Sequence, residues 1–165
     1  AMNPNAVTKI SSLKNRVNMP MTVLVSNLAM LESFVKLNET STTLSRAFHP
    51  GPLNIIVDFL DADKFSYLSS DGLAFRIPKH KILLDLITEF GAPITTTSAN
   101  QHNEPSIYEI DEIKARFGDD VCAILDDGNL DKSNATSTVY DARSSKLLRT
   151  GPISLQQIEE SLKYS

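Results

Sequence analysis

The chain has 165 residues, 41% apolar and 22% charged, with a formal net charge of −4 and a single cysteine. That length fits one domain of roughly 150 residues, able to bury about 70% of the surface its unfolded chain exposes. One cysteine excludes an internal disulfide framework and a multi-cysteine zinc site, and the acidic balance argues against a surface coated for non-specific nucleic-acid binding while allowing a small basic pocket for a phosphate. Asn3-Pro4 reads as a helix start, and Ala6, Val7, Ile10 and Leu13 continue it at helical spacing to Lys14 and Arg16. Met21 to Val25 is a short β-branched run, predicted as a buried strand. A helix with Leu28, Leu31, Phe34 and Val35 inward is expected next, then another over Glu39 to Phe48. His49-Pro50-Gly51-Pro52 forces a rigid turn before a strand over Leu53 to Phe59.

Asp61 to Ser70 reads as loop, and Leu73 to Ile77 as strand. The clearest helix covers Lys79 to Phe90, with Ile82, Leu83, Leu86, Ile87 and Phe90 on one face and Gly91 as its stop. Pro93 to Thr97 is predicted as a strand, Ile110 to Phe117 as a helix ended by Gly118, and Val121 to Leu125 as a strand. Ser137 to Asp141 and Lys146 to Leu148 suggest a hairpin. The last helix opens with a capping box from Ser154 to Gln157. Interleaved strands and helices point to an α/β or α+β fold on a mixed sheet. No apolar run approaches the ~18–20 residues of a membrane span and no signal-peptide pattern is seen, so a reduced cytoplasmic compartment is the expectation.

Several residues could carry chemistry. Lys14 and Arg16 would diverge by about 200° on a helix, but at a helix-to-loop junction they could converge on one anion; equally, they could complement the helix dipole. Ser98 and Asn100 follow a strand, where ligands sit in open α/β sheets, or they form a local turn. Arg76 lies inside Leu73-Ala74-Phe75-Arg76-Ile77, so it needs a partner or ligand, unless the strand is an edge and the arginine faces solvent. Arg149 ends a strand, and Ser137-Thr138 opens one. The three histidines, at 49, 80 and 102, show no metal spacing. Cys122, in Val121-Cys122-Ala123-Ile124-Leu125, reads as a packed core cysteine, and Asp126-Asp127-Gly128 as a solvated turn. The common glycine-rich nucleotide loops and the G-x-S-x-G elbow are absent.

One ordered set of motifs runs along the chain: K-x-R near the start, P-G-P before a strand, L-A-F-R-I-P-x-H, P-I-T-T-T-S-A-N-x-x-x-E-P-S, I-L-D-D-G, S-T-V-Y-D and L-L-R-T-G. In this order they resemble the YrdC-like family, the L-threonylcarbamoyladenylate synthases, whose hallmark of K-x-R plus S-x-N falls here on Lys14/Arg16 and Ser98/Asn100. The resemblance covers essentially all of residues 1–165 as one domain. It implies a YrdC/RibB-like fold, a twisted mixed sheet with flanking helices around an open basic cavity. It also implies a nucleotidyltransferase that turns L-threonine, bicarbonate and ATP into threonylcarbamoyl-AMP and pyrophosphate, for N6-threonylcarbamoylation of tRNA adenosine 37 by partner proteins.

By the same resemblance, Lys14 and Arg16 hold phosphates, and Ser98, Asn100 and Ser106 place the nucleotide side. Arg149 reaches the nucleotide. Arg76 binds the threonine carboxylate, with Thr96 and Ser137 nearby. Mg²⁺ is expected on the pyrophosphate, held mostly by phosphates and water, with no dedicated protein metal site. Two departures stand out. Val17-Asn18-Met19-Pro20-Met21 is one residue shorter than the family pattern, with Met19 where a polar ligand is expected. The family also opens with a strand and a P-T-x-T-x-Y-G-L segment that precedes a stretch like Ala1 to Val7, so Ala1 is expected not to be the biological start. Three other readings stay open: an RNA-binding or translation-related module, a carbamoyl-transfer domain of the hydrogenase-maturation type, and a form made inactive by the lack of that opening segment.

Overall fold

A computed structural model of the chain describes residues 1–15, 20–101, 103–131 and 136–163. Among the described residues the α-helices are α1 (Pro4–Leu13), α2 (Glu39–Phe48), α3 (Lys81–Phe90), α4 (Ile110–Phe117) and α5 (Leu155–Lys163). Their ends follow local chemistry. Asn3 Oδ1 accepts from the Asn5 and Ala6 N–H groups at 3.0 and 3.3 Å, with Pro4 in the first turn. Asn38 and Ser41 form a reciprocal capping box on α2, and Ser154 and Gln157 form one ahead of α5. Gly91 ends α3 in the left-handed conformation, φ 68°. His49-Pro50 is a cis peptide bond between α2 and the strand that follows.

The strands are β1 (Thr22–Leu24), β2 (Val35–Lys36), β3 (Leu53–Phe59), β4 (Leu73–Arg76), β5 (Ile94–Thr96), β6 (Thr138–Asp141) and β7 (Lys146–Arg149). They form one open mixed sheet in the order β5-β1-β4-β3-β6-β7, with β2 on the far end of β3. β1/β4 and β3/β6 are parallel; the other pairs are antiparallel. The expected mixed α/β architecture is therefore present.

The two sheet faces differ because side chains alternate along a strand. Val23, Leu53, Ile55, Val57, Leu73, Phe75 and Tyr140 lie on one face and are buried in a cluster with Val7 of α1, Leu44 of α2 and Ile158 of α5. The opposite face is set by register. Arg76 pairs with Leu24 on one side; on the other, the β3/β4 pairing runs to Ile55–Phe75, and Asn54 and Arg76 are the next residues of the two strands. Asn54 pairs with Val139, and Val139 with Arg149. These residues form a row across five strands. One step along, Thr96, Thr22, Ala74, Ile56 and Asp141 form the parallel row.

Four sequence expectations are corrected. The helix expected around Leu28 to Val35 is a 3-10 turn over Leu28–Leu31 followed by β2. Leu31, Phe34 and Val35 are buried as expected, but an irregular segment satisfies the same apolar spacing. α3 ends at Phe90 as predicted but starts at Lys81, two residues later than expected, with His80 as its N-cap; Ile82, Leu86 and Phe90 are exposed and Ile87 is its buried residue. Val121 to Leu125 forms no strand and is exposed, and Cys122 is an exposed thiol rather than a packed core cysteine. An apolar run becomes a strand only if a neighbouring strand takes up its backbone groups. The Asp126-Asp127 turn that follows is exposed, but it is tied down: Asp126 pairs with Lys114 at 2.6 Å and Asp127 with His80 at 2.9 Å.

Candidate active site

Lys14 caps the C-terminal end of α1, its N–H bonded to the Ile10 carbonyl at 3.1 Å. Its side chain is 4% exposed. A buried ammonium requires acceptors, and Lys14 Nζ donates to the Ser98 carbonyl and to Asn100 Oδ1. Ser98 Oγ donates to the same Asn100 Oδ1 at 2.7 Å, and Asn100 Nδ2 donates to the Glu104 carbonyl at 2.6 Å. The side chains two residues apart thus converge just beyond the end of β5. The Ile107 N–H donates to the Ala99 carbonyl at 2.8 Å and closes the loop behind them. Lys14 is engaged with S-x-N directly, well beyond a dipole effect. Arg16 and Met19 lie outside the described residues.

Arg76 sits on β4, which is flanked by β1 and β3. The edge-strand alternative is thereby excluded. One guanidinium nitrogen donates to Ser137 Oγ at 3.0 Å. Arg149 Nε donates to the Ser137 carbonyl at 2.9 Å. Ser137 therefore joins two arginines. Burial, and then the neighbouring Arg149 charge, lower the Arg76 pKa from its ordinary value. Among the described residues neither arginine makes an ion pair. Such a pair of cations favours an anion. Thr96 lies on the same face, opposite Thr22.

Ser106 belongs to a different wall. It lines a cleft of about 280 Å³ with Glu104, Tyr108, Glu112 and Arg116, where Arg116 pairs with Glu104. The link to Asn100 runs through the Glu104 carbonyl.

Two features had only faint sequence signals. Asn54, 7% exposed, lies like Arg76 one residue beyond the Ile55–Phe75 pair and donates from Nδ2 to Thr22 Oγ1 at 3.3 Å. A polar residue inside Leu53-Asn54-Ile55-Ile56-Val57 was the available signal. Arg143, in the hairpin turn, pairs with Asp141 at 2.7 Å and Asp71 at 2.8 Å. Its guanidinium holds Asp141 down to about 2. Gly151 lets the chain leaving β7 pass the start of β6: a Cβ there would meet the Thr136 carbonyl oxygen and the Thr138 nitrogen at 2.4 Å.

The histidines do other work. His49 Nε2–H donates to the Leu53 carbonyl at 2.7 Å, and Nδ1 accepts from Ser45 Oγ at 2.9 Å. Its pKa is lowered, chiefly by burial. His80 caps α3 and pairs with Asp127, and His102 lies outside the described residues. Among the described residues no group of three or more His, Cys, Asp or Glu side chains is gathered for a metal.

Comparison with known proteins follows the same lines. The family model Sua5_yciO_yrdC, described as telomere recombination, matches residues 1–151. The threonylcarbamoyl-AMP synthase of Vibrio campbellii is 30% identical over 90% of this chain and 83% of its own length. That of Bacillus subtilis is 32% identical over 96% of this chain, which spans 47% of the relative. Among solved structures, Pyrococcus abyssi Sua5 complexed with L-threonine superposes with a TM-score of 0.86 at 29% identity, covering 98% of this chain and 49% of that one. With the match running from Ala1 to Gly151, the chain belongs to the Sua5/YciO/YrdC family.

Proposed function

We propose that this protein makes threonylcarbamoyl-AMP and pyrophosphate from L-threonine, bicarbonate and ATP. The observation that carries the reading is the Arg76–Ser137–Arg149 cluster, two cations sharing one serine on the sheet face that also holds Thr96. It offers a carboxylate a charged, donor-rich seat. The similarity to relatives named for this activity supports the same reading.

The threonine amine condenses with bicarbonate to a carbamate, releasing water. A carbamate oxygen then attacks the α-phosphorus of ATP, and pyrophosphate leaves with the electrons of the broken P–O bond. Such a displacement requires alignment and charge neutralisation, with no covalent protein intermediate. We assign Arg76 to the threonine carboxylate, with Ser137 and Thr96 beside it. Lys14, Arg16, Ser98, Asn100 and Arg149 are assigned to the nucleotide. Ser106 is assigned to the outer wall of the nucleotide side, reached through the 98–107 loop. Lys14 would exchange an acceptor in its present pair for a phosphate oxygen.

Mg²⁺ would enter with the triphosphate as part of the substrate, held mostly by phosphates and water. The product would pass to the proteins that modify tRNA. A cytoplasmic setting suits that role, and no helix among the described residues is long and apolar enough to cross a membrane.

The test is pyrophosphate release from ATP. Release that requires both threonine and bicarbonate is the expected result. Release indifferent to threonine, or none at all, rejects the proposal. RNA binding without adenylate formation would favour the RNA-binding reading.

A further inference from the structure

Among the described residues, Asn54 Oδ1 and Arg76 Nε are the buried side-chain polar atoms without a hydrogen-bond partner. Buried polar groups are nearly always paired, and an exception calls for a reason. These two exceptions are not scattered. Asn54 and Arg76 each lie one residue beyond the Ile55–Phe75 pair that ends the β3/β4 register, on the sheet face opposite the apolar core. One is an acceptor and the other a donor. Other atoms of both side chains are fixed: Asn54 Nδ2 donates to Thr22 Oγ1, diagonally past the small Ala74, and the Arg76 guanidinium end donates to Ser137. What remains is an orphaned C=O on β3 and an orphaned N–H on the adjoining β4, both buried under the sheet face that carries Ser137 and Thr96.

We propose that Asn54 is a specificity-determining residue: its Oδ1, with the Arg76 Nε–H, holds the side-chain hydroxyl of a β-hydroxy amino acid. A hydroxyl is the smallest substrate group that donates and accepts at once. It would donate to Asn54 Oδ1 and accept from Arg76 Nε, while the terminal guanidinium nitrogens face the carboxylate of the same molecule. A methylene or methyl in that place would leave both protein atoms unpaired, which is how a site built for a hydroxyl rejects an analogue lacking one. The proposal rests on the amino-acid adenylate reading above and deepens it.

The test compares L-threonine with L-2-aminobutyrate, which has hydrogen in place of the hydroxyl, by calorimetric binding and by amino-acid-dependent pyrophosphate release. The unaltered protein is expected to prefer threonine by about 100-fold or more. Asn54→Leu should weaken threonine by about 10–100-fold while leaving 2-aminobutyrate within about twofold, so the preference collapses. Asn54→Thr, a β-branched residue suited to a strand, gives a second variant if leucine fails to fold, and should lower the preference at least threefold. A threonine complex of the unaltered protein should place the hydroxyl within about 3.2 Å of Asn54 Oδ1. Equal binding of the two amino acids by the unaltered protein, an undiminished preference in a folded variant, or a hydroxyl seated elsewhere would each overturn the proposal and leave the adenylate reading standing. If the unaltered protein binds neither amino acid and releases no pyrophosphate, the adenylate reading falls and this one with it.

Discussion

The two clusters of the candidate site are built in opposite ways. Around Lys14, a buried cation is met by the Ser98 carbonyl and by an Asn100 amide whose other end is held by Glu104. Around Arg76, a cation is placed near a second cation, shares a serine with it, and keeps a buried N–H unpaired beside an unpaired amide oxygen. The first arrangement is internally satisfied and stabilises the loop that follows β5. The second has unfavourable terms that a ligand would relieve: like charges and unmade hydrogen bonds. Two neighbouring guanidinium groups sharing one serine are a preorganised set of donors suited to an anion.

That contrast can be broken by mutation. Arg76→Ala should produce the largest change. Losing charge-assisted hydrogen bonds worth about 1.5–3 kcal/mol each should raise the threonine KM by about 100-fold, measured as pyrophosphate release at saturating ATP. Arg76→Lys should recover only part, because an ammonium lacks the planar fork. An unchanged threonine dependence in Arg76→Ala would sink the assignment of Arg76 to the threonine carboxylate.

Lys14→Met should act on the other substrate. A loss of about tenfold or more in kcat/KM for ATP is expected, with threonine binding altered by less than about threefold; isothermal titration separates the two. Equal losses for both substrates would mean that the clusters act as one.

The Asp141–Arg143 pair lies next to the site and should report on stability alone. Asp141→Asn should cost about 1–2 kcal/mol in urea unfolding. Because the folded pKa is held to about 2 against 3.8, the unfolded chain binds more protons between those values. The contribution is complete above pH 3.8 and disappears as the pH falls towards about 2.

The smallest effect concerns His49. Its folded pKa is lowered from 6.5 by burial, so the unfolded chain takes up the proton first as the pH drops. Stability should therefore decline as the pH falls below about 6.5. Urea midpoints at neutral and mildly acidic pH, compared with His49→Gln, check the sign; a flat profile in the unaltered protein would refute it.

Much of this molecule is legible in its sequence because the relevant signals are local. Asn3-Pro4 fixes the start of α1, Gly91 the end of α3, and the alternation from Leu53 to Phe59 marks β3 at its observed bounds. The K-x-R and S-x-N motifs are visible as residue types, and Lys14, Ser98 and Asn100 do come together. Burial is less legible. The stripe on α3 and the run from Val121 to Leu125 have the apolar pattern of buried elements, yet much of both is exposed. Periodicity says which residues share a face; it does not say whether anything covers that face.

By itself the sequence determined the start of α1, the end of α3, most of the strands and the family to which the chain is similar, since capping, backbone restriction and ordered motifs act over a few residues. Only the tertiary structure decided that Asn54 and Arg76 would meet at the end of the β3/β4 pairing, that Arg149 would reach Ser137, and that Ser106 would line a separate cleft. The reason is register. A one-residue slip of β3 against β4 would send Asn54 into the apolar core and leave Arg76 facing an isoleucine or a leucine, and nothing in either strand alone forbids it. The pairing is enforced from outside the two strands, by the packing of Leu53, Ile55, Val57 and Phe75 against α2 and α5.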